Sequence, residues 1–286
     1  MTLQPALLLR ETVDTHARTN PVAVTLRPES ALNRALQKFR PVGLEEMQDL
    51  ALLRRTDVKY LVPRPALPAL LDGMAAAYRV LEVDGLRLQR YETLYFDTPA
   101  LDLYLLHHNG ARRRFKIRSR RYLESELSFL EIKIKERGDR TVKFRRRTAA
   151  FVQLLGPQWI SYLLEHTGDT RVPLDTLRPT LWNTFSRLTL VSEEYSERVT
   201  IDLNLTLQRG AKQLRIDDQV VIEVKGEAAQ RDTPVVRQLR ALGLRPTGFS
   251  KYCIGVASLC TEVKHNHFIK KLRRIQHPRE ESYCVA

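Results

Sequence analysis

ARRRFKIRSRRYLESELSFLEIKIKERGDRTVKFRRR, residues 111–147, decides the fold. It holds 15 of the chain's 47 lysines and arginines against five acids, and so carries +10 of the formal net charge of +14. The cations are phased. Arg112, Arg114, Lys116, Arg118 and Arg120 fall on every second position, with Phe115 and Ile117 between them. Glu131, Lys133 and Lys135 alternate with Leu130, Ile132 and Ile134, and Lys143, Arg145 and Arg147 repeat the spacing. Side chains of a β-strand point to opposite faces in turn. The stretch is therefore expected to form an antiparallel meander with one apolar face and one ladder of cations. Its second turn is expected at Gly138-Asp139. By parity Lys116, Arg118, Lys133 and Arg145 belong to the cationic face, and Arg113, Arg121 and Arg146 to the other. Same-sign strands repel unless water or a polyanion fills the space between them.

On either side the pattern continues. Apolar spacing predicts helices over 44–53, 66–77, 101–108, 234–242 and 251–260, and two short helices over 148–166 around Gly156-Pro157. Alternation predicts strands over 55–62, 86–96, 178–190, 197–207 and 220–225. Residues 31–39 suit a short helix. With the meander this makes about eight mostly antiparallel strands. The fold class expected is α+β: an eight-stranded antiparallel closed β-barrel with peripheral helices, its apolar faces outside under the helices and its charged faces lining the lumen. The expected divisions are an N-terminal tail over 1–40, a tunnel domain over 41–262 and a basic C-terminal tail over 263–286.

A sequence pI near 9.9 calls for an anionic partner. Cys253, Cys260 and Cys284 form no CxxC pair, which argues against a disulfide framework or zinc ribbon. No apolar run reaches the ~20 residues of a membrane span, and residues 5–9 make a poor signal peptide. A cytoplasmic location is expected. There is no GxxxxGK[ST], GxGxxG or GxSxG, so P-loop, dinucleotide-binding and serine-hydrolase chemistry lack support. Cys260, His265 and His267 are too loosely spaced to favour a metal cluster, and His107-His108 suits a structural role at a helix end.

A lumen lined with arginine and lysine suits a chain of phosphates, since arginine forks onto phosphate oxygens and lysine supplies a compact charge. Phosphoryl transfer rests mostly on positioning and charge neutralisation. A divalent ion would need carboxylates. Glu223 is the first candidate, Glu131 a weaker one, and Asp57 sits between Arg55 and Lys59. For each, a plain ion pair is the competing reading.

The chain resembles the catalytic domain of the vacuolar transporter chaperone (VTC) polyphosphate polymerases, within the triphosphate tunnel metalloenzymes. The resemblance lies in Arg55-Thr-Asp57-Val-Lys59-Tyr60, Tyr91-Glu-Thr-Leu-Tyr95-Phe96-Asp97-Thr98, His107-His108-Asn109-Gly110, Lys116-Ile-Arg118 with Tyr122, Leu130-Glu131-Ile-Lys133, Lys143-Phe-Arg145-Arg146, Phe185-Ser-Arg187, Arg198-Val-Thr-Ile-Asp202, Glu223-Val-Lys225 and Ser250-Lys251-Tyr252, in family order. It implies that the tunnel binds ATP and passes the γ-phosphate to inorganic polyphosphate, assisted by Mn²⁺ or Mg²⁺. Lys59, Lys133, Arg187 and Lys251 would act at the reacting phosphates. Lys116, Arg118, Lys135, Lys143, Arg145, Arg198 and Lys225 would grip the rest of the chain, and Glu223 would hold the metal.

Three departures qualify this. The first strand has Arg55, Asp57 and Lys59 where the superfamily has ExExK, which suggests one metal rather than two. Phe185 stands where tyrosine is frequent. The regulatory domain and membrane spans of the eukaryotic relatives are not in the sequence, so any membrane or regulatory partner would be a separate chain. No sequence-specific nucleic acid is expected. The alternatives are an inorganic triphosphatase or nucleoside triphosphatase of the tunnel type, or a non-catalytic binder of polyphosphate or nucleic acid.

Overall fold

A computed structural model of the chain describes residues 31–49, 56–136, 141–168, 171–226 and 232–276. Arg55, the turn at Gly138-Asp139, Cys284 and the outer parts of both expected tails lie outside the described residues.

The alternating stretches form one sheet. Its main path runs β2 (Thr56–Pro63), β11 (Gln219–Gly226), β9 (Glu197–Arg209), β8 (Arg178–Ser192), β4 (Leu88–Asp97), β5 (Arg114–Tyr122), β6 (Ser128–Lys135) and β7 (Thr141–Thr148). Every neighbouring pair on this path is antiparallel. Three short strands add to it: β1 (Arg40–Val42), β3 (Arg79–Leu81) and β10 (Lys212–Ile216). Their three to five residues are too few to show an alternation in the sequence.

The expected closed barrel needs correction. The path is open, with β2 at one end and β7 at the other and no ladder between them among the described residues. The sheet is nevertheless curled, because Lys133 on β6 is within electrostatic reach of Asp57 and Lys59 on β2 and of Glu223 and Lys225 on β11.

The outer face is apolar. Tyr60, Val62, Leu188, Leu190, Ile201 and Ile222 pack beneath α1 (Ala31–Gln37), α3 (Leu67–Asp72) and α6 (Pro234–Ala241). Ile117, Leu130, Ile132 and Ile134 pack beneath α5 (Pro157–Thr167). Only one helix forms around Gly156-Pro157, because Pro157 occupies the first helical turn and Gly156 stays extended. The segment expected as an N-terminal tail contributes buried Leu36 from α1 and buried Phe39 just beyond it. In the C-terminal one, α8 (Ile269–Gln276) buries Ile275, and Arg274 donates to the Leu61 carbonyl at 2.8 Å.

One end of the inner face is filled by α7 (Lys251–Leu259). Leu61, Tyr91, Tyr95, Leu181, Phe185 and Val221 turn inward to meet it. The approach is close. A Cβ on Gly255 would lie 2.5 Å from Leu181 Cδ2, so any larger residue would force the buried Leu181 side chain to move. Ser250 caps α7 by accepting from the Cys253 amide, which fixes the first helical residue, Lys251, at the edge of the open part of the lumen.

Candidate phosphate-binding site

Cross-strand register places the cations. Lys116, Lys133 and Lys143 lie directly opposite one another on β5, β6 and β7. Arg118, Glu131 and Arg145 form the next row, and Arg120, Phe129 and Arg147 the one after. Arg114 stands opposite Lys135. On the facing wall Lys59 is opposite Glu223, and Lys225 lies between Asp57 and Arg198. Arg187 is opposite Asp202. All of these share the inner parity. The outward parity carries Arg121, over the Phe151 ring, and Arg146, over the Trp159 and Tyr162 rings of the covering layer. Arg113 donates to the Thr167 carbonyl at the end of α5.

Three inner carboxylates each hold two cations. Glu223 accepts from Lys59 and, at 3.0 Å, from Lys225, which also reaches Asp57 at 3.1 Å. Asp202 takes a forked pair from Arg187, at 2.6 and 2.9 Å, together with the Lys251 ammonium. Glu131, whose side chain is 1% exposed, pairs with Arg118 at 2.6 Å and with Lys143. Burial works against ionising these acids, but the adjoining cations overcome it. Lys59 and Lys225 hold Glu223 well below the usual carboxylate range, Arg118, Arg120 and Lys143 do the same for Glu131, and Arg187 and Lys251 bring Asp202 down to about 2.

The lysines are depressed as well. Lys133 is reached by lumen water yet crowded by the walls. That enclosure and the Lys59 charge opposite bring its ammonium down to about 8. Burial brings Lys143 to about 8 against the pull of Glu131. Burial also lowers Lys251, with Asp202 opposing.

Arg120 is the residue the sequence reading left out of the site, although its parity marked it. It is 6% exposed, and among the described residues its Nε donates to the Thr93 hydroxyl, at 3.3 Å. The guanidinium lies 5.5 Å from the Tyr91 ring and 5.8 Å from the Phe185 ring. No carboxylate among the described residues forms an ion pair with it. Burial and the neighbouring Arg118 push its pKa down. Phe185 itself works as a platform, with Arg187 at 5.2 Å and Lys251 at 4.3 Å over its ring.

The VTC domain family profile matches residues 54–260. This chain belongs to the VTC domain family. Among solved structures the VTC domain is similar to a candidate adenylate cyclase from Bacillus halodurans, at 12% identity, 69% of this chain, 94% of the other and a TM-score of 0.43. It is also similar to a Hippeastrum protein described as a candidate adenylyl cyclase with a dominant triphosphatase activity, at 15% identity, 72% and 97% coverage and a TM-score of 0.44. A conserved protein from Pyrococcus furiosus gives 13% identity, 70% and 99% coverage and a TM-score of 0.39. At these scores the likenesses carry no argument about activity. A search among curated proteins found no match.

The histidines lie in the surrounding packing. His107 has its Nε2 3.3 Å from the Phe115 carbonyl, and burial together with Lys116 and Arg114 takes its pKa to about 2. The His108 and His267 rings stack at 4.6 Å. No group of three metal-ligating side chains occurs among the described residues. No helix among them is long and apolar enough to cross a membrane.

Proposed function

We propose that the inner face of this VTC domain binds the triphosphate of ATP and transfers its γ-phosphate to a growing inorganic polyphosphate chain, with Mn²⁺ or Mg²⁺ assisting. The observation that carries this reading is the row Lys116–Lys133–Lys143. Three ammonium groups directly opposite one another on adjacent strands are unfavourable in an empty lumen. A run of phosphates turns that cost into binding.

The residues divide the work. Arg118, Arg120 and Arg187 offer planar forks to phosphate oxygens. Lys59, Lys133, Lys225 and Lys251 surround the space between the two walls and offset the charge that spreads over a transferring phosphoryl group. Lys135, Lys143, Arg145 and Arg198 extend the track. The apolar packing around α7 excludes water from one end.

Transfer is favoured over hydrolysis by the state of the carboxylates. Glu131 and Asp202 are each committed to two cations, and Glu223, held by two lysines, is the proposed ligand of the metal, so none stands ready to deprotonate a water. A terminal phosphate of the polymer is already an anionic nucleophile and needs no base.

The donor set fits a hard divalent ion held mainly by phosphate and water oxygens. Such ions often take only one or two protein carboxylates, and Glu223 is ionised and faces the lumen. When bound, the metal would supply charge neutralisation at the phosphate oxygens, with Glu223 as its protein ligand. Glu131 fits less well, being enclosed by Arg118 and Lys143.

Purified protein given ATP and Mn²⁺ tests the proposal. Long-chain polyphosphate appearing with ADP is the expected result. Orthophosphate without polymer would make the domain a triphosphatase. Tight, salt-dependent binding without turnover would make it a polyanion binder.

A further inference from the structure

The three double-cation carboxylates have a consequence for the order in which the lumen fills. Both oxygens of Glu223 are in use, one on Lys59 and the other on Lys225, with Asp57 on the far side of Lys225. A divalent cation reaching this carboxylate must displace an ammonium group. Lys133, across the lumen, adds a further positive charge at the same spot. While the lumen holds only protein, a displaced Lys225 keeps Asp57 alone and gains no replacement for Glu223, because Asp202 and Glu131 are already shared between Arg187 and Lys251 and between Arg118 and Lys143. A phosphate chain changes this. It offers oxygens to Lys59 and Lys225, draws them off Glu223, and brings negative charge that a divalent ion can join.

We infer that the internal carboxylates stand in for phosphates, and that Glu223 accepts a divalent metal only with or after the phosphate chain. This rests on the reading of the lumen as a polyphosphate site. Metal-free anion binds first, or enters with its metal, and metal alone is refused. Lys225 is the gate, because it holds Glu223 and Asp57 together.

Two binding experiments without turnover test this. Electron paramagnetic resonance of free Mn²⁺ reports metal uptake by the protein alone, and calorimetry in the presence of a chelator reports metal-free inorganic tripolyphosphate. The wild type is expected to bind tripolyphosphate without metal and to leave Mn²⁺ alone free in solution. Lys225→Met is expected to take up Mn²⁺ without any anion, at least about tenfold more tightly than the wild type, and Lys225→Met with Glu223→Gln to lose that uptake. Mn²⁺ binding to the anion-free wild type that Glu223→Gln abolishes would overturn the inference while leaving the polyphosphate site intact. So would a folded Lys225→Met that gains no metal affinity. Absence of tripolyphosphate binding with and without Mn²⁺ would instead remove the proposed function, and this inference with it.

Discussion

Arg120 is a buried cation without an ion-pair carboxylate among the described residues. A guanidinium held inside a protein in this way, by one hydroxyl and two aromatic rings, is costly for the fold. Its presence in the lumen is explained if an external anion completes it. Replacing it with an apolar side chain of similar length should separate stability from binding. Arg120→Met is expected to unfold at a higher denaturant concentration, by about 1–3 kcal/mol, and to bind tripolyphosphate at least about tenfold more weakly. A destabilised variant with unchanged affinity would show that Arg120 is a structural residue. Lys133 and Lys143 give the pH dependence. Both ammonium groups sit at about 8 in the empty lumen, below the ordinary lysine value. In the proposed site they bind phosphate when protonated, and bound phosphate would raise their pKa. Affinity is therefore full below about 8 and falls as pH rises through it, by up to about tenfold per pH unit for each lysine. Calorimetry across this range should show the fall, and Lys133→Arg with Lys143→Arg should flatten it. At this scale alternation made most of the cations legible, Arg120 included. What the pattern could not show was pairing: which carboxylates serve as internal counter-ions depends on register between strands far apart in sequence, such as Lys59 with Glu223.

Among the elements, α7 sets the shape of the lumen. It is tied down from outside by Asp97, which is fully buried at the end of β4. Asp97 accepts from the amides of Thr98, Leu103 and Tyr104, at 2.7, 2.9 and 2.9 Å, and from the Tyr252 hydroxyl. One carboxylate thus joins β4, the start of α4 (Asp102–His108) and α7, and burial raises its pKa despite these donors. Tyr252 follows Lys251, so the bond also fixes where the Lys251 ammonium points. Tyr252→Phe is expected to cost about 1.5–3 kcal/mol by denaturant unfolding and to weaken tripolyphosphate binding, whereas an unchanged denaturation midpoint would mean that the bond holds nothing in place. The sequence shows a helix over 251–260 and a turn at Asp97-Thr98-Pro99. Their meeting is tertiary and left no local signal.

For the whole molecule, the long alternating strands told which face is apolar and which is charged. That is why a cation-lined inner surface under peripheral helices was expected from sequence and is present. Closure of the sheet was not legible in the same way. Alternation specifies the face of each residue but not which strand edges meet, and the short strands β1, β3 and β10 carry too few residues to register. Net charge alone would draw polyanions to any part of a +14 protein. A lumen site is more selective: binding belongs to one parity. Two double variants that remove the same charge separate these possibilities. Arg120→Gln with Lys133→Gln strips the inner face, and Arg121→Gln with Arg146→Gln strips the outer. Tripolyphosphate affinity, measured at fixed ionic strength on folded protein, is predicted to fall by at least about 100-fold for the inner pair and to stay within about threefold for the outer pair. Equal losses from both pairs would contradict the assignment of the site to the inner face.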